Sequence, residues 1–164
     1  MGWYDTALIC ENGHIINQEF DERPEDNNDF CSKCGARAIS KCTSCNTSIK
    51  GYYHGEIIDA LIPEPSRPMD DIPAYCHNCG KPYPWTEKRI RAINELLEMS
   101  GLDADEIKDF NVNLADIITD TPRTKVAALK IKKVGAKLGK EIWEVAKPIL
   151  AAIGSAAAKQ VLGL

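Results

Sequence analysis

The pattern of apolar positions changes once along the chain, near residue 86. Before this point, short alternating runs such as Ser48 to Tyr53 are typical of hairpin strands. After it, apolar residues recur at helical spacing, as at Ile90, Ile93 and Leu97. The pattern therefore predicts an α+β fold in which short antiparallel β hairpins are followed by an α-helical C-terminal region.

Residues 86–120 are expected to form short acidic helices. Thr86 can cap the first helix, and Gly101 can close it. Asp103 is expected to open the second helix, because Glu106 follows it at the spacing of a capping box. This segment then separates an N-terminal region, residues 1–85, from a C-terminal region, residues 121–164.

The C-terminal region predicts a long helix with a proline break. Thr121 can cap this helix, and Pro122 loses no helical hydrogen bond at the first position. The helix is expected to run to Lys147. Pro148 lacks a backbone N–H and clashes with the preceding turn, so a kink or break is expected there, before an apolar helix that reaches Leu164.

The long helix is predicted to be basic and amphipathic. Apolar residues follow one stripe of its surface and lysines lie broadly opposite. The stripe consists of Ile131, Val134, Leu138, Ile142, Val145 and Ile149, and the lysines are Lys133, Lys137, Lys140 and Lys147. Gly135 and Gly139 also have the GxxxG spacing that allows two helices to approach closely.

Charge is distributed unevenly between the body of the chain and this tail. Residues 1–120 contain 11 Lys and Arg against 22 Asp and Glu, whereas residues 121–164 contain 9 against 2. A basic tail on an acidic body predicts contact with something anionic. The partner could be an anionic membrane surface, a nucleic acid or the acidic residues 86–120 themselves, and the helices could also pair with another chain.

Seven cysteines point to metal ions as the source of stability in the N-terminal region. Small domains bury too little apolar surface to offset the entropy of folding and need a disulfide or a metal. The sequence starts without the pattern of a secretory signal, so we expect the protein in the reducing cytoplasm, with peripheral membrane association if the tail binds lipid. Thiols persist there as metal ligands.

Eight candidate ligands occur as four closely spaced pairs. Two such turns that face each other supply the tetrahedral ligand set of a structural zinc ion. The pairs are Cys10 with His14, Cys31 with Cys34, Cys42 with Cys45, and Cys76 with Cys79. Gly35, Asn46 and Gly80 follow the second cysteine of their turns, where a left-handed backbone is expected. The spacing predicts two Zn²⁺ ions in two small zinc ribbons.

The way in which the four turns combine is a further prediction. Sequential pairing joins the first turn to the second and the third to the fourth, with an acidic loop at Asp21 to Asp29 and a proline-rich loop at Ile62 to Pro73 as the intervening segments. The short interval between Cys34 and Cys42 disfavours a metal shared by the middle turns. A cross-braced arrangement stays open, because spacing alone does not exclude it.

Both predicted sites are closed and therefore structural. Three cysteines with one histidine, or four cysteines, leave no position for an activated water. The sequence also contains no HExxH, phosphate-binding glycine loop or GxSxG motif, and no small-molecule substrate is evident. His54 is interpreted as a strand-end residue beside Tyr52 and Tyr53, and His77 as a solvent-facing residue of its turn. We expect a protein that is not an enzyme.

Nucleic-acid binding through the ribbons is less favoured by charge. Residues 1–85 carry 7 basic and 13 acidic side chains. The local basic cluster consists of Lys33, Arg37, Lys41 and Lys50, and such a cluster is more often a solvated face than a phosphate groove.

Over nearly its full length the chain resembles a bacterial family known only as a domain of unknown function with zinc-ribbon knuckles. The segments that carry the resemblance are Gly2 to Thr6, Cys10 to His14, Gly51 to His54, Tyr75 to Trp85 and Asp120 to Thr124. The resemblance implies metal sites and a bacterial cytoplasmic setting, and it brings no known activity. The tail, from Lys132 to Gly135 and from Lys147 to Gly154, also resembles cecropin-type peptides, which join a basic amphipathic helix to an apolar one through a proline hinge.

These observations lead to two functional hypotheses. In the first, a non-enzymatic zinc-ribbon protein uses its cationic C-terminal helices to engage a membrane surface or to drive self-assembly, as a regulated effector. In the second, the ribbons form an adaptor that binds a protein or a nucleic acid, and the helices serve only as a core or an oligomer interface.

Overall fold

The computed structural model describes residues 2–55 and 65–164. Among these residues the protein forms short antiparallel strands followed by helices, so the predicted α+β fold is confirmed. Residues 62–64 of the predicted proline-rich loop lie outside the described part. The chain divides into two compact units, Met1–Glu87 (unit 1) and Lys88–Leu164 (unit 2).

Unit 1 contains two small sheets. The strands are β1 (Trp3–Thr6), β2 (Leu8–Cys10), β3 (Ile15–Asn17), β4 (Ala38–Ile39) and β5 (Lys50–His54). β1 pairs with β5 in one antiparallel sheet, and the other sheet has the order β3-β2-β4. A short 3-10 helix, Pro24–Asp26, lies in the acidic loop.

The core of unit 1 is small and includes two of the predicted ligand cysteines. Tyr83 and Trp85 stack with ring centroids 4.7 Å apart, and both are almost completely buried. The indole N–H of Trp85 donates to the carbonyl of Pro73 at 2.9 Å. The buried cluster comprises Ala7, Ile9, Cys42, Ile49, Cys76, Tyr83 and Trp85. Cys42 and Cys76 therefore belong both to this core and to the set of predicted ligands.

The helices are α1 (Pro84–Glu98), α2 (Ala104–Ile118), α3 (Thr124–Gly135), α4 (Lys140–Ile153) and α5 (Ala156–Leu162). Asp103 and Glu106 form the predicted capping box of α2, with the Glu106 N–H donating to Asp103 Oδ1 at 2.8 Å. Thr86 was predicted to cap α1, but it does not. Its buried hydroxyl instead donates to the carbonyl of Ala74 at 2.9 Å, and the helix begins two residues earlier at Pro84.

The prediction of one long C-terminal helix from Thr121 to Lys147 is wrong. α3 begins later, at Thr124, and it ends much earlier, at Gly135. The next helix starts after Gly139, whose φ of +79° is outside the range of an α-helix, so Gly135 and Gly139 do not form one GxxxG face. A Cβ at Gly135 would lie 2.5 Å from the Trp143 ring, which shows that this glycine accommodates a side chain of α4.

Pro148 does not break the chain where a break was expected. It lies inside α4, which continues to Ile153. The missing N–H of Pro148 would have bonded to the carbonyl of Glu144, and both residues are exposed, so water reaches that side of the helix. The interruption falls instead at Gly154, before Ser155 caps α5.

α3 packs against α2 and α5 in unit 2. Ile131 and Leu138, which belong to the predicted apolar stripe, are 0% and 3% exposed, whereas Val145 of the same stripe is 54% exposed. Basic side chains of the tail reach acidic residues of α2. The ion pairs are Lys137 with Glu106 at 2.7 Å, Lys130 with Asp109 at 3.3 Å, and Arg123 with Asp116 at 3.2 Å.

This internal packing is one of the arrangements that the sequence left open for the tail. It places Ile131 and Leu138 of the predicted stripe in the core of unit 2. Within the described part of the chain, no helix combines the length and the apolar character needed to cross a membrane.

Candidate metal centres

Three of the four ligand turns have the same local geometry. In each, the residue after the second cysteine has a positive φ, which is +70° at Gly35, +59° at Asn46 and +69° at Gly80. The N–H of that residue donates to the carbonyl of the first cysteine, at 2.8, 2.9 and 2.9 Å respectively. Glycine and asparagine tolerate this backbone best, so the sequence places them where the turn requires them.

Each of these three turns is closed by a β bridge just outside the cysteines. The bridges join Phe30 to Arg37, Lys41 to Ser48, and Tyr75 to Pro82. Because each bridge joins a residue before Cys-x-x-Cys to a residue after it, the turn is a miniature hairpin that holds both sulfurs on one side. The spacing of the cysteines and the bridge therefore act together to present a pair of ligands.

The first ligand turn is built differently. It connects β2 to β3, and Gly13 with φ of +84° precedes the ligand His14. The N–H of Cys10 donates to the carbonyl of His14 at 3.0 Å, and the N–H of His14 lies 3.3 Å from Cys10 Sγ. The longer Cys-x-x-x-His spacing accommodates the imidazole ring within a strand hairpin.

The first two turns come together in what we call the histidine site, formed by Cys10, His14, Cys31 and Cys34. His14 Nδ1 lies 3.6 Å from both Cys10 Sγ and Cys31 Sγ, and the sulfurs of Cys10 and Cys34 are 3.8 Å apart. Zn–S and Zn–N bonds of about 2.3 and 2.05 Å at tetrahedral angles give S–S and S–N edges of about 3.8 and 3.6 Å. The side chains thus fit a tetrahedral zinc ion.

The third and fourth turns form the all-cysteine site, with Cys42, Cys45, Cys76 and Cys79. Two of its S–S edges, Cys42 to Cys79 and Cys45 to Cys76, measure 3.8 and 3.7 Å. In both sites all four ligand atoms lie within 4.8 Å of one another. The structure therefore brings together the eight predicted ligands in the sequential combination, and residues 2–55 and 65–164 contain no other such group.

The surroundings of the sulfurs favour thiolates at some positions and disfavour them at others. A backbone hydrogen bond from Ala36 lowers the pKa of Cys34 to about 6, and Thr47 lowers the pKa of Cys45 to about 5 through its hydroxyl and its backbone N–H. At Cys79 a Lys81 N–H acts in the same direction, but burial and the neighbouring sulfurs prevail and raise the pKa to about 11. Sulfurs this close repel one another as thiolates, and a divalent cation removes that repulsion.

Two asparagines that were not among the predicted site residues support the ligands. Asn12 Nδ2 donates to Cys34 Sγ at 3.4 Å, and Asn78 Nδ2 donates to Cys45 Sγ at 3.7 Å. Each asparagine belongs to one turn of its site and contacts a sulfur of the other turn. Both follow the first ligand of their own turn by two residues, which is the signal that could have identified them.

Neither spare histidine joins a ligand cluster. His54 stacks on Trp3 with ring centroids 4.2 Å apart and contacts Tyr52, as expected for a strand-end residue, and His77 is exposed. The buried carboxylate of Asp5 accepts the backbone N–H groups of Asp21 and Glu22 at 3.1 and 3.3 Å, so it anchors the acidic loop. These contacts are structural.

Closed clusters on short hairpins, with α1 to α5 following them, define an α+β protein of the zinc-ribbon class. The chain belongs to the bacterial family described as "uncharacterized protein conserved in bacteria" (DUF2321), whose family model matches residues 3–162. No curated protein and no solved structure matches the chain. The description of the family names no activity.

Proposed function

We propose that the protein is a non-catalytic, two-zinc binding protein whose unit 2 contacts an anionic membrane surface through the outer face of α3. The zinc ions stabilise unit 1 and take no part in chemistry, because four protein ligands fill each coordination sphere. The membrane contact is carried by one observation, the exposure of two apolar side chains among lysines on α3.

Zinc is the metal that the donor atoms favour. Three thiolates with one imidazole, and four thiolates, are common ligand sets of structural zinc, and the S–S and S–N edges match zinc bond lengths. Elemental analysis of the purified protein should give two zinc ions per chain. His14→Ala should lower this to one, while His14→Cys should keep two. A metal content clearly below two in the unaltered protein would contradict the assignment.

The outer face of α3 consists of Lys125, Val126, Leu129, Lys132 and Lys133, all of which are exposed. Val126 and Leu129 are each 53% exposed. Residues at these spacings lie on the side of the helix opposite Ala127, Ala128 and Ile131, which are fully buried. The face therefore points out of unit 2 while the helix stays packed.

This face differs from the stripe that the sequence predicted. A tail that bound lipid through Ile131 and Leu138 would have to leave the core of unit 2, since both are buried. Binding through Val126 and Leu129 requires no unfolding. The proposal therefore keeps the membrane partner and changes the residues that meet it.

The expected affinity is modest. A lysine near an anionic leaflet contributes about 1 kcal/mol, so three lysines contribute about 3 kcal/mol. Partial burial of a valine and a leucine adds about 1–2 kcal/mol. A total of about 4–5 kcal/mol corresponds to a dissociation constant of about 0.2–1 mM in accessible lipid, which weakens as salt screens the charges.

Co-sedimentation of the full chain with vesicles tests this proposal. We expect binding to phosphatidylcholine vesicles that contain phosphatidylserine, little binding to phosphatidylcholine alone, and release at high salt. V126E/L129E should abolish binding, whereas Val145→Glu, at a similarly exposed position on α4, should not. Circular dichroism checks that both variants are folded. Equal binding by V126E/L129E, or concentration-dependent self-association without lipid binding, would overturn the proposal.

A further inference from the structure

A cleft in unit 1, which we call the tyrosine cleft, has none of the eight ligand residues in its lining. Its volume is about 350 Å³. Its lining includes four aromatic and two proline rings, those of Tyr4, Tyr53, Pro68, Pro73, Tyr75 and Tyr83. A concave site with several convergent aromatic rings has the composition of a ligand-binding surface.

The rings are held in place before any ligand arrives. Tyr4 and Tyr53 are paired residues of β1 and β5, and their ring centroids are 4.8 Å apart. Tyr53 exchanges two backbone hydrogen bonds of 2.9 Å with Arg67, which closes the other edge of β5. Tyr53 and Tyr83 are 8% and 1% exposed, so the floor of the cleft is fixed by the core. Preformed walls lower the entropy that binding costs.

Cations of the chain already occupy part of the aromatic surface. Lys50 Nζ lies 4.9 Å from the centre of the Tyr4 ring, and the Arg67 guanidinium lies 4.9 Å from the centre of the Tyr53 ring. These contacts brace the two rings and hold both cations against the ring faces. The cleft is thus left with apolar ring surface between two cation-capped tyrosines.

Two carboxylates lie on the rim of the cleft. Asp70 and Asp71 are exposed, and neither forms an ion pair with another residue in the described part of the chain. Unit 1 as a whole is acidic, with 14 Asp and Glu against 7 Lys and Arg over residues 1–87. Both the rim and the long-range field therefore favour a ligand with positive charge.

From these features we infer that the tyrosine cleft binds a basic, proline-containing peptide segment of a partner protein. Proline rings of an extended polyproline II peptide pack on aromatic grooves and lose little entropy on binding, because the free peptide already has this shape. An arginine or lysine beside the prolines would meet Asp70 and Asp71 at the rim. This site lies in unit 1 and is independent of the membrane contact proposed for α3.

Fluorescence anisotropy with the full-length, zinc-loaded protein tests the inference. The probe is a fluorescein-labelled peptide of three Pro-Pro-Arg repeats. The controls are the same peptide with glutamate in place of each arginine and with glycine in place of each proline. We expect saturable binding of the first peptide and at least fivefold weaker binding of both controls. Equal binding of either control peptide would overturn the inference.

Variants of the protein locate the site. Tyr4→Ser, at a position that is 44% exposed, should weaken binding by roughly three- to tenfold through loss of one ring. D70N/D71N should weaken binding severalfold, whereas D21N/D29N, which removes two exposed charges of unit 1 outside the cleft, should change it by less than twofold. Zinc content and near-UV circular dichroism must match the unaltered protein. Binding that is indifferent to Tyr4→Ser, or equally sensitive to both charge pairs, would refute a site in this cleft.

Discussion

Unit 1 and unit 2 are stabilised by different means. In unit 1 the buried cluster has seven members, two of which are metal-site cysteines, and its strands contain two to five residues. In unit 2 the described helices bury leucine, isoleucine and phenylalanine side chains, and no metal-ligand group is found there among the described residues. The comparison teaches that one chain can combine a region in which clusters of metal-ligand residues take the place of core volume with a region in which apolar packing suffices.

The largest expected effect is that of zinc chelation, which should unfold unit 1 and leave unit 2 folded. A strong zinc chelator should unfold unit 1, because structural zinc contributes about 10–16 kcal/mol in small peptides and a whole domain is stable by about 5–15 kcal/mol. The near-UV circular dichroism and fluorescence of buried Trp85 should report this loss. The helical signal at 222 nm should persist, since unit 2 supplies most of the helix. A proportional loss of both signals would show that the units are not independent.

A smaller effect on stability is expected from a substitution in the core of unit 2. Ile131→Ala removes a fully buried side chain and should lower the free energy of unfolding of unit 2 by about 2–5 kcal/mol. Leu129→Ala, two residues earlier and 53% exposed, is the matched control and should change it by less than about 0.5 kcal/mol. Thermal unfolding at 222 nm measures both. The zinc content should stay at two ions per chain. Loss of metal in Ile131→Ala would contradict the separate stabilisation of the two units.

The smallest expected effect concerns the support of the ligands in unit 1. Asn78→Ala removes the amide that contacts Cys45 Sγ and should weaken zinc binding by about 10- to 100-fold without changing the helical signal. His77→Ala, at the exposed neighbouring position of the same turn, should leave the affinity unchanged. Competition with a chromophoric chelator gives the zinc affinity of each variant relative to the unaltered protein. Equal affinities of the two variants would mean that the Asn78 contact has no energetic role.

The features that could be predicted from the sequence depend on short segments. The cysteine turns follow from a spacing of three residues together with Gly35, Asn46 and Gly80, because one turn of backbone decides that geometry. The capping box at Asp103 is equally local. Local chemistry also indicated which residues would supply the ligands, and the zinc geometry followed from the choice of donor atoms.

The features that the sequence did not reveal depend on distant neighbours. Gly135, where α3 ends, packs against the Trp143 ring of the next helix, and α4 continues through Pro148 on a side of the helix that faces water. The tyrosine cleft brings β1 and β5 next to residues 67–75, which no periodicity encodes. Tertiary contacts override local preference at each of these positions.

A metal ion bound at either site would also act as a removable cross-link. The histidine site clips Cys31 to His14 across 17 positions of the sequence, and the all-cysteine site clips Cys76 to Cys45 across 31. The entropy of closing such a loop grows only with the logarithm of its length, so doubling a loop costs about 0.6 kcal/mol. The entropy of loop closure therefore changes little when an intervening segment gains or loses a few residues, whereas each site needs all four of its ligands.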